Sequence, residues 1–130
     1  MKKTSIILLF LFSTGVFANL FPGINENITT AIKVGNSKEL AKYFAPNVEL
    51  VIGDKSGTYS KAQAEMMVKD FFTKNPVKDY KVMHQGTSQD NSLYTIGDLT
   101  SAKSFRTYYL LRKRGESYLI HQLRFEDKED

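Results

Sequence analysis

Residues 80–125 break into four short runs rich in β-branched and aromatic residues, separated by tight polar joints. The runs are 80–85, 93–100, 105–112 and 118–125, and the joints are 86–91, 101–104 and 114–117. Joints this short can only connect neighbouring antiparallel strands, because a parallel return needs a crossover of a dozen residues or more. Such a meander has two faces, and at least one must be covered by something else.

The front half supplies the cover. Ile24, Ile28, Ala31 and Ile32 recur at i, i+4, i+7 and i+8, one face of a helix. Pro22 stands near its start and Gly35 is placed to end it. Asn36 then caps a short second helix, with Glu39 at capping-box spacing and Leu40, Ala41 and Phe44 on its buried side; Pro46 stops it. Residues 48–52 form a β-branched run that ends in Gly53-Asp54-Lys55-Ser56-Gly57, a turn sequence. Ser60 and Gln63 make a second capping box. It opens a helix through Ala64, Met67, Val68, Phe71 and Phe72, which closes before Asn75-Pro76. Helices first and an antiparallel sheet after predict an α+β domain with the helices on one sheet face.

At 130 residues and 42% hydrophobic, the chain suits a single packed domain. It has no cysteine, which excludes disulfides, a thiolate nucleophile and cysteine-ligated zinc. With two histidines, a histidine-rich metal site is also excluded, and we expect no metal and no cofactor.

Met1-Lys2-Lys3, the apolar run 6–12 and the small-residue end at Val16 and Ala18 have the layout of a secretory signal peptide. The apolar run falls well short of the roughly 20 residues that span a bilayer, so no membrane anchor is expected after cleavage. Residues 1–18 are therefore read as the signal, 19–125 as one domain and 126–130 as a charged, solvated tail. The expected location is the periplasm or the medium. Cleavage removes Lys2 and Lys3 and lowers the formal net charge of +4 by two. So balanced a surface gives little attraction for nucleic acid.

Three stretches carry a family likeness: Lys38-Glu39-Leu40-Ala41-Lys42-Tyr43-Phe44-Ala45, Gly57-Thr58-Tyr59-Ser60, and Tyr118-Leu119-Ile120 after the Gly115 hairpin. With the element order, they resemble the nuclear transport factor 2-like superfamily, also called cystatin-like or SnoaL-like, and within it small secreted bacterial members of unknown function. The resemblance implies a strongly curved antiparallel sheet wrapped around the N-terminal helices as a cone. It also implies a homodimer through the outer sheet face. Superfamily enzymes place an aspartate base or an Asp–His pair in the cone, and no such motif stands out here.

Strand register assigns faces, because side chains alternate. A two-residue turn at Ala102-Lys103 sets Asp98 opposite Thr107, Ile96 opposite Tyr109 and Tyr94 opposite Leu111. A two-residue turn at Gly115-Glu116 sets Thr107 opposite Arg124, Tyr109 opposite Gln122 and Leu111 opposite Ile120. One face then carries Asp98, Thr107, Tyr109, Gln122 and Arg124, joined by Tyr80 if the preceding strand pairs it with Asp98. An apolar floor with converging polar groups suits a small molecule or peptide. These six residues are the expected ligand-binding set, and the Tyr118/Ile120 face is taken as inner by the resemblance. The opposite face, with Leu93, Leu99, Leu110, Leu119, Leu123 and Phe125, is itself too apolar to stay wet.

The expected role is a binding domain without catalytic activity. One alternative is an isomerase- or hydrolase-like enzyme using Asp98 or His121 as acid/base. The other is a structural interaction module. Asp98 with Arg124 also reads as a plain ion pair, and His84 and His121 as ordinary sheet histidines. Arg112-Lys113-Arg114 reads as a solvated charge run, Gly53–Gly57 as a turn rather than a phosphate loop, and Asn27-Ile28-Thr29 as a sequon lost inside a helix.

Overall fold

The computed structural model describes residues 22–128; the expected signal peptide lies outside them. Helix α1 (Pro22–Lys33) is followed by the short α2 (Ser37–Ala41), strands β1 (Phe44–Ile52) and β2 (Lys55–Ser60), and helix α3 (Lys61–Lys74). Four strands complete the domain: β3 (Asp79–Thr87), β4 (Leu93–Thr100), β5 (Ser104–Arg114) and β6 (Ser117–Asp127). They form one six-stranded sheet in the order β2-β1-β6-β5-β4-β3.

The local signals act as their chemistry dictates. Gly35 takes φ +68° after α1, and the N–H groups of Gly35 and Asn36 donate to the carbonyls of Ile32 and Ala31, closing the helix end. Asn36 Oδ1 accepts the Glu39 N–H at 3.0 Å. At α3 the box is complete: Ser60 Oγ accepts the Gln63 N–H and Gln63 Oε1 accepts the Ser60 N–H, both at 3.2 Å. Ser60→Ala leaves the Gln63 N–H without its acceptor, so we expect a loss of about 1 kcal/mol, read as a lower urea midpoint at unchanged slope.

Two expectations near the first strand are corrected. Residues 55–57 are not the tail of a turn but the start of the strand Lys55–Ser60, paired from Ile52↔Lys55 to Asn47↔Ser60 around the two-residue turn Gly53-Asp54. Its polar, largely exposed Lys-Ser-Gly-Thr-Tyr-Ser sequence has no apolar alternation, because it is a sheet edge with little to bury. Pro46 does not stop the second helix, which ends at Ala41; Phe44 and Ala45 are buried strand residues. The proline occupies the register break of β1 against β6, between Phe44↔Ile120 and Glu49↔Gln122, where a missing N–H costs no ladder bond.

The sheet is mixed rather than wholly antiparallel, since β1 runs parallel to β6. Between the two strands the chain runs through β2, the single helix α3 and strands β3 to β5. Register breaks in the β1/β6, β3/β4 and β5/β6 ladders bend the strands. The curved sheet holds the helices on one face, with α1 against β3, and α3 against β1 and β2. The core there is anchored by Ile28, Ile32, Leu40, Val68, Leu123 and a phenylalanine cluster. Phe71 of α3 stacks on Phe125 at 4.5 Å and meets Phe105 edge-on at 5.0 Å. The charged C-terminal stretch begins later than expected, because Glu126 and Asp127 still belong to β6 and the Lys128 N–H donates to the Ser104 carbonyl.

Candidate functional site

The register of the last three strands departs from expectation at two points. The β4–β5 connection has three residues, so Thr100 opposes Ser104 and Asp98 opposes Arg106. Ile96 then faces Tyr108, and Tyr94 faces Leu110. Ser101 sets this loop: its N–H donates to the Lys103 carbonyl, and its Oγ donates to the Pro76 carbonyl at 2.7 Å. The Gly115-Glu116 turn is as expected, with Gly115 at φ +65° and Leu111 opposite Ile120. Beyond it, His121 is an extra residue. Ile120 pairs with Leu111 and Phe44, whereas Gln122 pairs with Leu110 and Glu49, so β6 turns a corner against both neighbours at once. From there Tyr109 opposes Leu123 and Thr107 opposes Phe125.

The six expected residues are thereby divided. Tyr80, Thr107 and Tyr109 point inward and are buried, Thr107 and Tyr109 at 0% exposure. Thr107 Oγ1 donates to the Gly97 carbonyl at 3.2 Å and lies 3.3 Å from Tyr80 Oη. Tyr80 itself pairs with Leu99 rather than Asp98, and its ring lies over Gly97, where an added Cβ would meet the phenol oxygen at 2.6 Å. Tyr109 Oη donates to Asn25 Oδ1 of α1 at 2.6 Å. Burial raises the pKa of both phenols, so both stay neutral. Thr107 and Tyr109 thus present no accessible side-chain surface.

Asp98, Gln122 and Arg124 point to the outer face. Asp98 accepts from Lys128 Nζ at 2.8 Å and from Arg106 Nε at 3.4 Å, not from Arg124. Arg124 lies 5.7 Å over the Tyr108 ring and 3.6 Å from Glu126. The Lys128 hydrogen bond, followed by the Arg106 guanidinium, holds the Asp98 carboxyl below its ordinary 3.8. A proton acceptor working near neutral pH needs the opposite shift. A depressed folded-state pKa stabilises the fold above the unfolded value and loses that contribution as pH falls through the folded one. We therefore expect Asp98→Asn to lower the melting temperature modestly at neutral pH, with the difference from wild type vanishing in acid below 3.8. A constant offset across a pH-resolved melting series would contradict this.

His121 sits on the outer face with Nε2 buried and without a hydrogen-bond partner. Burial, then Arg112 and Arg114, push its pKa down, against the opposing pull of Glu49. His84 is exposed and tilted against Tyr94 at 5.9 Å, and Tyr94 in turn stacks on Tyr108 at 6.4 Å.

A different set of residues forms an accessible concavity. At the end of the sheet, inner-face residues of four strands lie side by side: Thr87 pairs with Leu93, Leu93 with Leu111, and Lys113 with Tyr118. With the β3–β4 connection they enclose an open groove of about 470 Å³, lined by Thr87, Asp90, Asn91, Ser92, Leu93, Arg112, Lys113 and Tyr118. The connection is a self-bonded turn. Asp90 Oδ1 accepts from Ser88 Oγ at 2.8 Å and from the Ser92 N–H at 3.1 Å, while Asn91 takes φ +69°. Hydrogen bonds from Ser88 and Ser92, with Arg112 3.9 Å away, lower the Asp90 pKa to about 2. The sequence showed this stretch only as a joint. Its Ser-Gln-Asp-Asn-Ser composition is the signal of an Asx-type turn that could have marked it.

Helices held in a curved, unclosed sheet define the class: this is a nuclear transport factor 2-like fold. Designed proteins of that fold superpose on it, one with a long sheet at TM-score 0.63 and 19% identity over 78% of this chain and 94% of that one. Within the class, residues 25–126 match the family described as a domain of unknown function, DUF4783, and the chain belongs to that family. A DUF4783 protein of Bacteroides uniformis is 37% identical, with TM-score 0.77 over 82% of this chain and 99% of its own. One from Bacteroides ovatus is 38% identical, with TM-score 0.75 over 80% and 94%. No curated protein matches the chain.

Proposed function

We propose that this protein is an exported binding domain that takes a small molecule or peptide in the groove at the open end of the sheet and performs no chemistry on it. The groove itself carries the reading: Leu93 and Tyr118 offer apolar surface, and Asn91, Arg112 and Lys113 bring polar groups to the same space. The buried Tyr80, Thr107 and Tyr109 serve the core instead. A fragment screen followed by amide chemical shifts tests this. Shifts gathered on residues 87–93 and 112–118 are expected; binders that shift only other residues would overturn it. Export is tested by intact mass after expression in a secreting bacterium, where the chain should begin at Asn19. A full-length product would refute the signal reading.

A homodimer through the outer face is proposed on a separate observation. Tyr94, Ile96 and Tyr108 form a partly exposed apolar row there on paired strands beside the buried Leu110, with no helix cover among the described residues. Sedimentation showing only monomer at micromolar concentration would refute it.

A further inference from the structure

The proposed groove is uneven in charge, and the unevenness selects a ligand. Three ionisable side chains line it besides Tyr118: Asp90, Arg112 and Lys113. The carboxylate is already committed. One Asp90 oxygen receives two hydrogen bonds from its own turn, and the other faces Arg112. Those bonds keep it ionised and fix its Oδ1 in the turn, while Oδ2 stands on the Arg112 side. The cations are not committed to the same degree. Arg112 reaches Asp90 only at 3.9 Å and through Nε, which leaves the terminal guanidinium nitrogens outside that pair. Lys113 forms no ion pair among the described residues. Two permanent cations thus share the groove with one carboxylate, a balance of one positive charge, and the apolar surface of Leu93 and Tyr118 lies in the same groove.

From this arrangement we infer that the groove selects a small organic carboxylate, with the acid group held by Lys113 and Arg112 and the apolar body resting on Leu93 and Tyr118. The inference rests on the proposal that the groove is a binding site, and it adds the ligand's chemical class. The guanidinium fork suits a planar carboxylate, and a lysine ammonium adds charge without demanding one geometry. An amine of the same shape would meet two cations against the single Asp90 carboxylate, and a neutral amide would forgo both charge-assisted bonds.

Matched probes test it: 3-phenylpropionate, 3-phenylpropionamide and 3-phenylpropylamine, with pentanoate, pentanamide and pentylamine as a second body. Each is titrated into the protein and followed by amide shifts. We expect the carboxylates to bind in the groove roughly tenfold or more tightly than their amides, with the amines weakest. Lys113→Gln, an exposed change that removes no packing, should weaken carboxylate binding by roughly fivefold to tenfold while leaving the amide unchanged. Groove shifts from amides or amines as strong as from acids would overturn the carboxylate inference and leave groove binding standing. Carboxylate affinity indifferent to Lys113→Gln would also overturn it. Silence of the groove toward all six probes would overturn both readings.

Discussion

Aspartate substituted at Ile120 or Leu123 is expected to prevent folding, whereas aspartate at Gln122 or Arg124 should leave a soluble, cooperatively melting protein. Ile120 and Leu123 are both at 0% exposure within the core, on the side covered by the helices. A carboxylate there has no partner and must either remain charged in an apolar interior or bind a proton at a cost. Adding the lost apolar side chain, the penalty is at least about 4–5 kcal/mol, comparable with the whole stability of many domains of this size. Gln122 and Arg124 are partly exposed on the other face, one paired beside Leu110 and the other lying over Tyr108. The intolerant positions are three residues apart rather than two, and that spacing is the direct signature of the corner at His121. Circular dichroism and thermal melts of the four variants decide it. If 122 and 124 behave like 120, the strand runs straight and the face assignment given above is inverted beyond residue 121.

Phe71→Ala is expected to cost about 3–5 kcal/mol, equivalent to a fall of roughly 15–25 °C in melting temperature. The ring touches α3's own Phe72 and, across the core, Phe105 of β5 and Phe125 of β6. It therefore ties helix to sheet at two strands, and its removal opens a void among rings too rigid to collapse into it. Phe71→Leu, which keeps most of the volume, should recover more than half of the loss. Equal damage from the two substitutions would show that the stacking geometry, not the filled volume, carries the energy. Little damage from either would mean that α3 does not anchor the core.

Local chemistry made much of the fold legible. The caps at Asn36 and Ser60, the left-handed Gly35 and Gly115, and the apolar spacing of α1 and α3 act within a few residues, so their outcome is written beside them. The same holds for the Gly115 hairpin, whereas the inward side of Ile120 followed from the family resemblance and not from local chemistry. The β2 edge strand escaped notice because an exposed edge buries too little to impose a period.

The candidate site was less legible, for a related reason. The β4–β5 loop gains its third residue through a hydrogen bond from Ser101 to Pro76, a partner 25 positions away. The corner at His121 exists because β6 must lie against a parallel neighbour and an antiparallel one in a curved sheet. Each adds or removes a single residue of register, and one residue moves every later side chain to the other face. That is why Tyr80, Thr107 and Tyr109 became core while Asp98, Gln122 and Arg124 became surface. Apart from the β2 edge and the start of β1, the chain alone determined which segments are helix or strand and the order in which they come, because caps, turns and periodicity are short-range. The tertiary structure alone decided which side chains share a surface, because that depends on where a bent sheet places its irregularities, and those answer to contacts distant in sequence.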